Sequence, residues 1–89
     1  MRMADRIREK LEQALAPTLV EVVDDSARHA GHAGHREAGE THFNIKVVSA
    51  AFAGQGRVAR HRQVNALLAQ EFADGLHALQ LTLLAPGER

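Results

Sequence analysis

Between Thr41 and Val48 the chain alternates. Phe43, Ile45 and Val47 fall on one side of an extended backbone and His42, Asn44 and Lys46 on the other, the period of a half-buried strand. Nothing else in the sequence constrains the fold as tightly, because this pattern gives way at once to a different one. It breaks at Ser49-Ala50-Ala51, leaves Phe52 as a lone anchor, and crosses Gly54-Gln55-Gly56, where backbone freedom is greatest. From Arg57 the period is helical. Val58, His61, Val64, Asn65, Leu68 and Phe72 share one face, with Leu67 at its edge, over a helix from Arg57 to roughly Ala73. Arg57, Arg60 and Arg62 come in the first turns, against the preference of the helix dipole. Cations placed there suit an anionic ligand or a partner's carboxylates as well as plain solvated surface.

The flanking segments complete one domain over residues 1–89. Residues 4–15 read as an amphipathic helix with Ala4, Ile7, Leu11, Ala14 and Leu15 on one face, Asp5 as a cap, and Pro17 as the stop. Thr18 to Asp24 is β-rich and largely apolar. Residues 27–40 have glycines at 31, 34 and 39 and no periodicity, so they read as a flexible His/Gly-rich loop between two strands. A short helical turn is expected around Ala50 to Ala53. Asp74-Gly75 stops the long helix, and Leu76 to Leu84 makes the last strand, with Leu79, Leu81 and Leu83 on one side and Ala78, Gln80 and Thr82 on the other. Residues 86–89 read as a frayed tail. The order is α-β-β-α-β. The first two strands pair antiparallel, and the helical crossover places the third parallel to the second. The expected class is α+β, a three-stranded mixed sheet with helices packed on one face.

Composition narrows the function classes. A chain of 89 residues buries about 60–70% of its unfolded surface, in one small core, and with aromatics at 3%, all Phe, that core must be aliphatic. No Trp or Tyr is present to stack bases. The 11 basic and 11 acidic residues cancel, so only a local patch can attract phosphate. The absence of cysteine rules out disulfides and thiolate chemistry and leaves His, Asp and Glu as the strong metal ligands. No apolar run reaches transmembrane length and no signal peptide is visible, so a cytoplasmic chain with no membrane association is expected. No catalytic constellation emerges: Ser26 and Ser49 lack a nucleophile elbow, and Asp24 and Asp25 point to opposite faces of a strand. The chain reads as a non-enzyme.

Six histidines are the unusual count. His29, His32 and His35 form an H-x-x-H-x-x-H run that can bind zinc or nickel in its own right. His77 opens the last strand, where a lone histidine is usually a rim residue. His61, on the apolar side of the helix wheel, and His42, beside Phe43, read as structural residues held by hydrogen bonds.

The segments GETHF, VVS and F-x-G-x-x-RV-x-RHR-x-VN-x-LL, flanked by EVVDDS-x-x-HAGH (Glu21 to His32) and GLHAL (Gly75 to Leu79), strongly resemble the BolA family. The resemblance runs from Ile7 to Pro86, in order. It implies a fold similar to class II KH domains and a role as partner of a monothiol glutaredoxin. The two proteins would share a bridging [2Fe-2S] cluster, in cluster trafficking or in iron or redox regulation. Cysteine of the glutaredoxin and bound glutathione would supply thiolates. His77 matches the family's cluster ligand, and His29 aligns with its loop ligand, with His32 and His35 as alternatives. Arg57, Arg60 and Arg62 would help dock the partner. In isolation the chain would carry no cluster and be a monomer or weak homodimer. The alternative is a KH-like DNA-binding transcriptional regulator in which Gly54, Gly56 and the following arginines clamp the backbone. The glycines do not form a full G-x-x-G, the part of a KH domain that holds nucleotides.

Overall fold

The alternating stretch forms the middle strand of a three-stranded sheet. The computed structural model describes residues 2–25 and 41–88. In order these form α1 (Met3–Leu15), β1 (Leu19–Asp24), β2 (His42–Val48), a 3-10 turn (Ala50–Phe52), α2 (Arg57–Leu67), α3 (Ala69–Ala73) and β3 (Ala78–Leu84). β1 pairs antiparallel with β2, with Val22 opposite Ile45. β2 pairs parallel with β3, with His42 opposite Ala78 and Val47 opposite Leu83. The expected α+β architecture, a mixed sheet with the KH-like order, is what the chain adopts.

Phe43, Ile45 and Val47 are buried and meet the helices. Opposite them α1 presents Met3, Ile7, Leu11 and Leu15, one residue per turn, all buried. Each such side chain contributes about 1.5–3 kcal/mol of apolar burial. Ala16, at φ 42°, turns the chain out of the helix and gives its N–H to the Glu12 carbonyl. The cap residue is Arg2, and Asp5 lies inside the first turn, where its charge still complements the helix dipole. Ser49 fastens the far end of β2. Its hydroxyl donates to the Leu15 carbonyl and accepts from the Ala51 N–H at 3.1 Å, so one buried side chain ties α1, β2 and the 3-10 turn together.

The long helix departs from its expected form. It breaks at Leu68 into α2 and α3, and its buried positions are Val64, Leu68 and, unexpectedly, Glu71. Val58 is 62% exposed and Asn65 faces solvent, so neither belongs to the core stripe. Glu71 is tolerated inside because Lys10 reaches it at 2.7 Å and Arg6 at 2.9 Å. Arg6 also pairs with Asp74. This network joins α1 to α3.

Arginines also cover the outer strands. Arg8 donates to the Val20 carbonyl of β1, and Arg60 to the Leu83 carbonyl of β3 at 3.0 Å. Charged groups at such positions oppose edge-to-edge association. Residues 86–88, expected to fray, instead form a turn. Glu88 accepts from the Ala85 N–H at 2.8 Å and from both terminal nitrogens of Arg60.

Candidate functional site

Strand direction gathers one group of candidate residues at a single end of the sheet. Because β2 and β3 are parallel, both begin at that end, and β1 finishes there. The chain leaves the sheet at Asp25 and re-enters at Thr41, with the Asp25 N–H bonded to the His42 carbonyl at 2.8 Å. The N–H groups of His77 and Ala78 both donate to the Thr41 carbonyl, which seats His77 against the start of β2. His77 itself precedes β3 and is exposed. Its ring makes no hydrogen bond among the described residues. The His42 ring lies 5.9 Å from it, centroid to centroid, with the planes 68° apart. His42 is half-buried, and its Nδ1 is 2.9 Å from the Thr41 hydroxyl. Sequence reasoning places His42 in a structural role and does not pair it with His77. The register of His42 opposite Ala78 is what brings them together. His29, His32 and His35 lie outside the described residues.

The second group lies at the other end. Gly54 has φ 79° with open space around it, so the backbone conformation, not room, calls for glycine there. Gly56, at φ −75°, is the N-cap of α2. Arg57 and Arg62 are exposed and make no side-chain hydrogen bond among the described residues. Arg60 differs. Its guanidinium is spent on the Gln55 and Leu83 carbonyls and on Glu88, and lies 5.8 Å from the Phe52 ring centre. Glu88 holds the Arg60 charge, and Arg60 in turn lowers the Glu88 carboxyl to about 2. Two of the three expected basic contacts therefore face solvent. His61 bonds within its own helix, Nδ1 to the Arg57 carbonyl oxygen at 2.9 Å.

These two groups do not converge. The seven residues of β2 separate them by about 20 Å at roughly 3.3 Å per residue. A partner seated on His77 is thus not docked by the first turn of α2 unless it spans the length of the sheet. Among the described residues no three His, Asp or Glu side chains gather into a metal-binding group, and no helix is long and apolar enough to cross a membrane.

Known proteins share this fold. The chain is 51% identical over 87 residues to the SufE-like protein 1, chloroplastic/mitochondrial, of Arabidopsis thaliana, covering 93% of this chain and 24% of that protein. It is 48% identical over 87 residues to the chloroplastic protein BOLA1 of the same plant, covering 96% of this chain and 54% of that protein. The chain thus spans about a quarter and about half of these two relatives. The solved BolA domain of SufE1 from Arabidopsis thaliana superposes with a TM-score of 0.86 at 49% identity, over 97% of this chain and 94% of that one.

The names of these relatives correct the expectation of a cytoplasmic chain, since they are chloroplastic/mitochondrial and chloroplastic. The physical reason is that a transit segment is read outside the folded domain, so the composition of this domain reports no compartment. A family model described as BolA-like protein matches residues 11–88. On that match, and on relatives aligned along nearly all of its length, the chain belongs to the BolA family.

Proposed function

We propose that this chain is a non-catalytic partner of a monothiol glutaredoxin, with which it shares a bridging [2Fe-2S] cluster in iron-sulfur trafficking or redox regulation. The observation that carries the reading is His77. It is an exposed imidazole with no hydrogen bond among the described residues, seated where the chain leaves and re-enters the sheet around the His29, His32 and His35 segment. The donor set fits such a cluster shared with a partner. The sequence has no cysteine, so this chain offers imidazole nitrogen and the thiolates come from the glutaredoxin and glutathione. His77 would supply one nitrogen and His29 the second, with His32 or His35 as alternatives. When bound, the cluster stores and passes single electrons, and imidazole in place of thiolate on one iron raises its potential. The chain's own work is to present neutral imidazole at a fixed end of a rigid sheet. Ligation requires that neutral form, so acid weakens the complex. Membership in a family that includes a SufE-like protein supports an iron-sulfur role.

Anaerobic reconstitution with a monothiol glutaredoxin and glutathione, followed by visible absorption and circular dichroism, tests this. The expected result is a spectrum distinct from that of the glutaredoxin alone, altered in His77→Ala. No heterocomplex, or a complex indifferent to His77→Ala, would refute it. A DNA-binding reading rests on Arg57 and Arg62 beside the open turn at Gly54 and Gly56. Two phosphate contacts give a salt slope of about −2, so a duplex shift that weakens with salt at about that slope and is lost when Arg57 and Arg62 are both changed to Ala is the result that would favour it.

A further inference from the structure

We propose that Arg60 and the Ala85 amide form a seat for a carboxylate of an acidic protein segment, which the chain's own Glu88 occupies as a displaceable stand-in. The inference goes beyond the function proposed above and uses neither His77 nor a cluster. Three donors converge on the Glu88 carboxylate. Arg60 Nη1 and the Ala85 N–H meet one oxygen at 2.5 and 2.8 Å, and Arg60 Nη2 meets the other at 3.0 Å. This is the forked geometry by which a guanidinium recognises a carboxylate. The seat is built without its occupant. Arg60 Nε donates to the Gln55 carbonyl at 2.9 Å and Nη1 to the Leu83 carbonyl at 3.0 Å, and the guanidinium carbon lies 5.8 Å from the centre of the buried Phe52 ring. The fork therefore keeps its aim when Glu88 leaves.

Glu88 is placed to leave. Its side chain is 43% exposed, against 12% for Arg60, so it lies on the outer side of the pair. Pro86 and Gly87, which carry it round, are exposed as well, and the turn is closed by the Glu88 N–H on the Ala85 carbonyl at 3.1 Å. The carboxyl is held at about 2, so at neutral pH a competing anion, not protonation, opens the seat. Exchange keeps the bonding balanced. A visiting carboxylate restores all three bonds, and the N–H of the buried Ala85 is not left unpaired. Exchange also adds an attraction. Arg57, three residues before Arg60 on α2, is exposed and makes no side-chain hydrogen bond among the described residues, and residues three apart are neighbours on a helix surface. Two adjacent acidic side chains thus find two cations. The partner is a protein rather than a duplex because Arg60 is recessed. A carboxylate on a flexible stem reaches it, whereas a duplex backbone meets the outlying Arg57 and Arg62 first.

The test is titration of the full, nitrogen-labelled chain at low salt and neutral pH with a capped hexaglutamate peptide, with hexaglutamine and inorganic phosphate as parallel arms. The Ala85 amide and the Arg60 side-chain nitrogens should shift with hexaglutamate and not with hexaglutamine. A bidentate, charge-assisted pair leaves the seat open in about a tenth of molecules or fewer, so Glu88→Ala should tighten peptide binding by about tenfold or more. Adding Arg60→Lys, which keeps the charge and removes the fork, should abolish that gain. Glu88→Ala should keep the wild-type circular dichroism. If the Arg60 variant does not fold, the Ala85 and Arg60 shifts in Glu88→Ala decide alone. Absence of binding by Glu88→Ala, equal affinity in Glu88→Ala and wild type, or binding that moves neither Ala85 nor Arg60 would overturn the proposal. A gain for inorganic phosphate as large as that for the peptide would overturn the assignment to a protein carboxylate. Glu88 lies at the Leu83 end of β3, away from His77, so Glu88→Ala should still form the glutaredoxin complex, and the two readings fail separately.

Discussion

Replacing Glu71 by Gln should destabilise the fold at neutral pH and much less so in acid. The Glu71 side chain is 0% exposed, and its carboxylate accepts from Lys10 at 2.7 Å and from the Arg6 Nε at 3.1 Å. Burial alone would push its pKa up. The hydrogen bonds and charges of Lys10 and Arg6 outweigh burial, so the carboxyl titrates below its ordinary value. A depressed folded-state pKa means the stabilisation is complete above the ordinary carboxylate range and is lost as pH falls through the folded value. Removing one member of a fully buried ion pair costs about 3–5 kcal/mol. Here the two cations keep 28% and 39% exposure, so they rehydrate, and the Gln carbonyl still accepts one bond. The expected cost is therefore about 1–2 kcal/mol at pH 7. With no Trp or Tyr in the chain, the assay is urea unfolding followed by far-ultraviolet circular dichroism, at several values from pH 7 down to pH 2. The midpoint should fall with an unchanged m-value, and the gap to wild type should narrow as pH falls. A neutral or stabilising substitution at pH 7, or a gap that does not change with pH, would show that the network only fills space.

Two further perturbations probe the other fastenings. Ser49→Ala removes a buried hydroxyl that both donates to Leu15 and caps the 3-10 turn, and should cost about 1–2 kcal/mol in the same unfolding assay, with α1 and the turn exchanging amide hydrogens faster. Glu88→Gln loosens the tail: the carboxyl is held at about 2 by Arg60, so its contribution is present from above the ordinary carboxylate range and fades only as pH falls toward 2. The Ala85 amide, which donates to Glu88, should exchange faster in that variant at pH 7 and not at the acid limit. Equal exchange in both proteins at pH 7 would mean the turn closes without the carboxylate.

The strands are legible because their signal is local. Phe43, Ile45 and Val47 alternate with polar neighbours in sequence, and the same three are 2%, 0% and 0% exposed in the fold. Leu79, Leu81 and Leu83 obey the same rule against the helices. The helix is harder to read, because its buried face carries a charge. Val64, Leu68 and Glu71 follow the i, i+4, i+7 spacing of one helical face and all three are buried, while Val58 at the first turn is 62% exposed. Charge alone marks Glu71 as surface; only the arrival of Arg6 and Lys10 from the opposite end of the chain makes its burial tenable. Arg60 shows the converse. In sequence it is one of three equal cations, and in the fold Glu88 and two carbonyls occupy it.

The placement of the histidines depends on topology more than on any motif. The crossover through α2 and α3 returns the chain to the sheet end at which β2 began, so β3 runs parallel and starts beside His42. Had β3 entered from the other end, as an antiparallel strand would, His77 would lie about 20 Å away, beside the first turn of α2. The same crossover thus puts imidazoles at one end and exposed arginines at the other. A ligand recognised by nitrogen donors and one recognised by positive charge would then meet different ends of the same sheet. Arg57→Ala and Arg62→Ala should therefore leave metal binding at His77 untouched, while His77→Ala leaves phosphate attraction at α2 untouched. A chain in which either substitution disturbed both properties would contradict the separation that the strand order imposes.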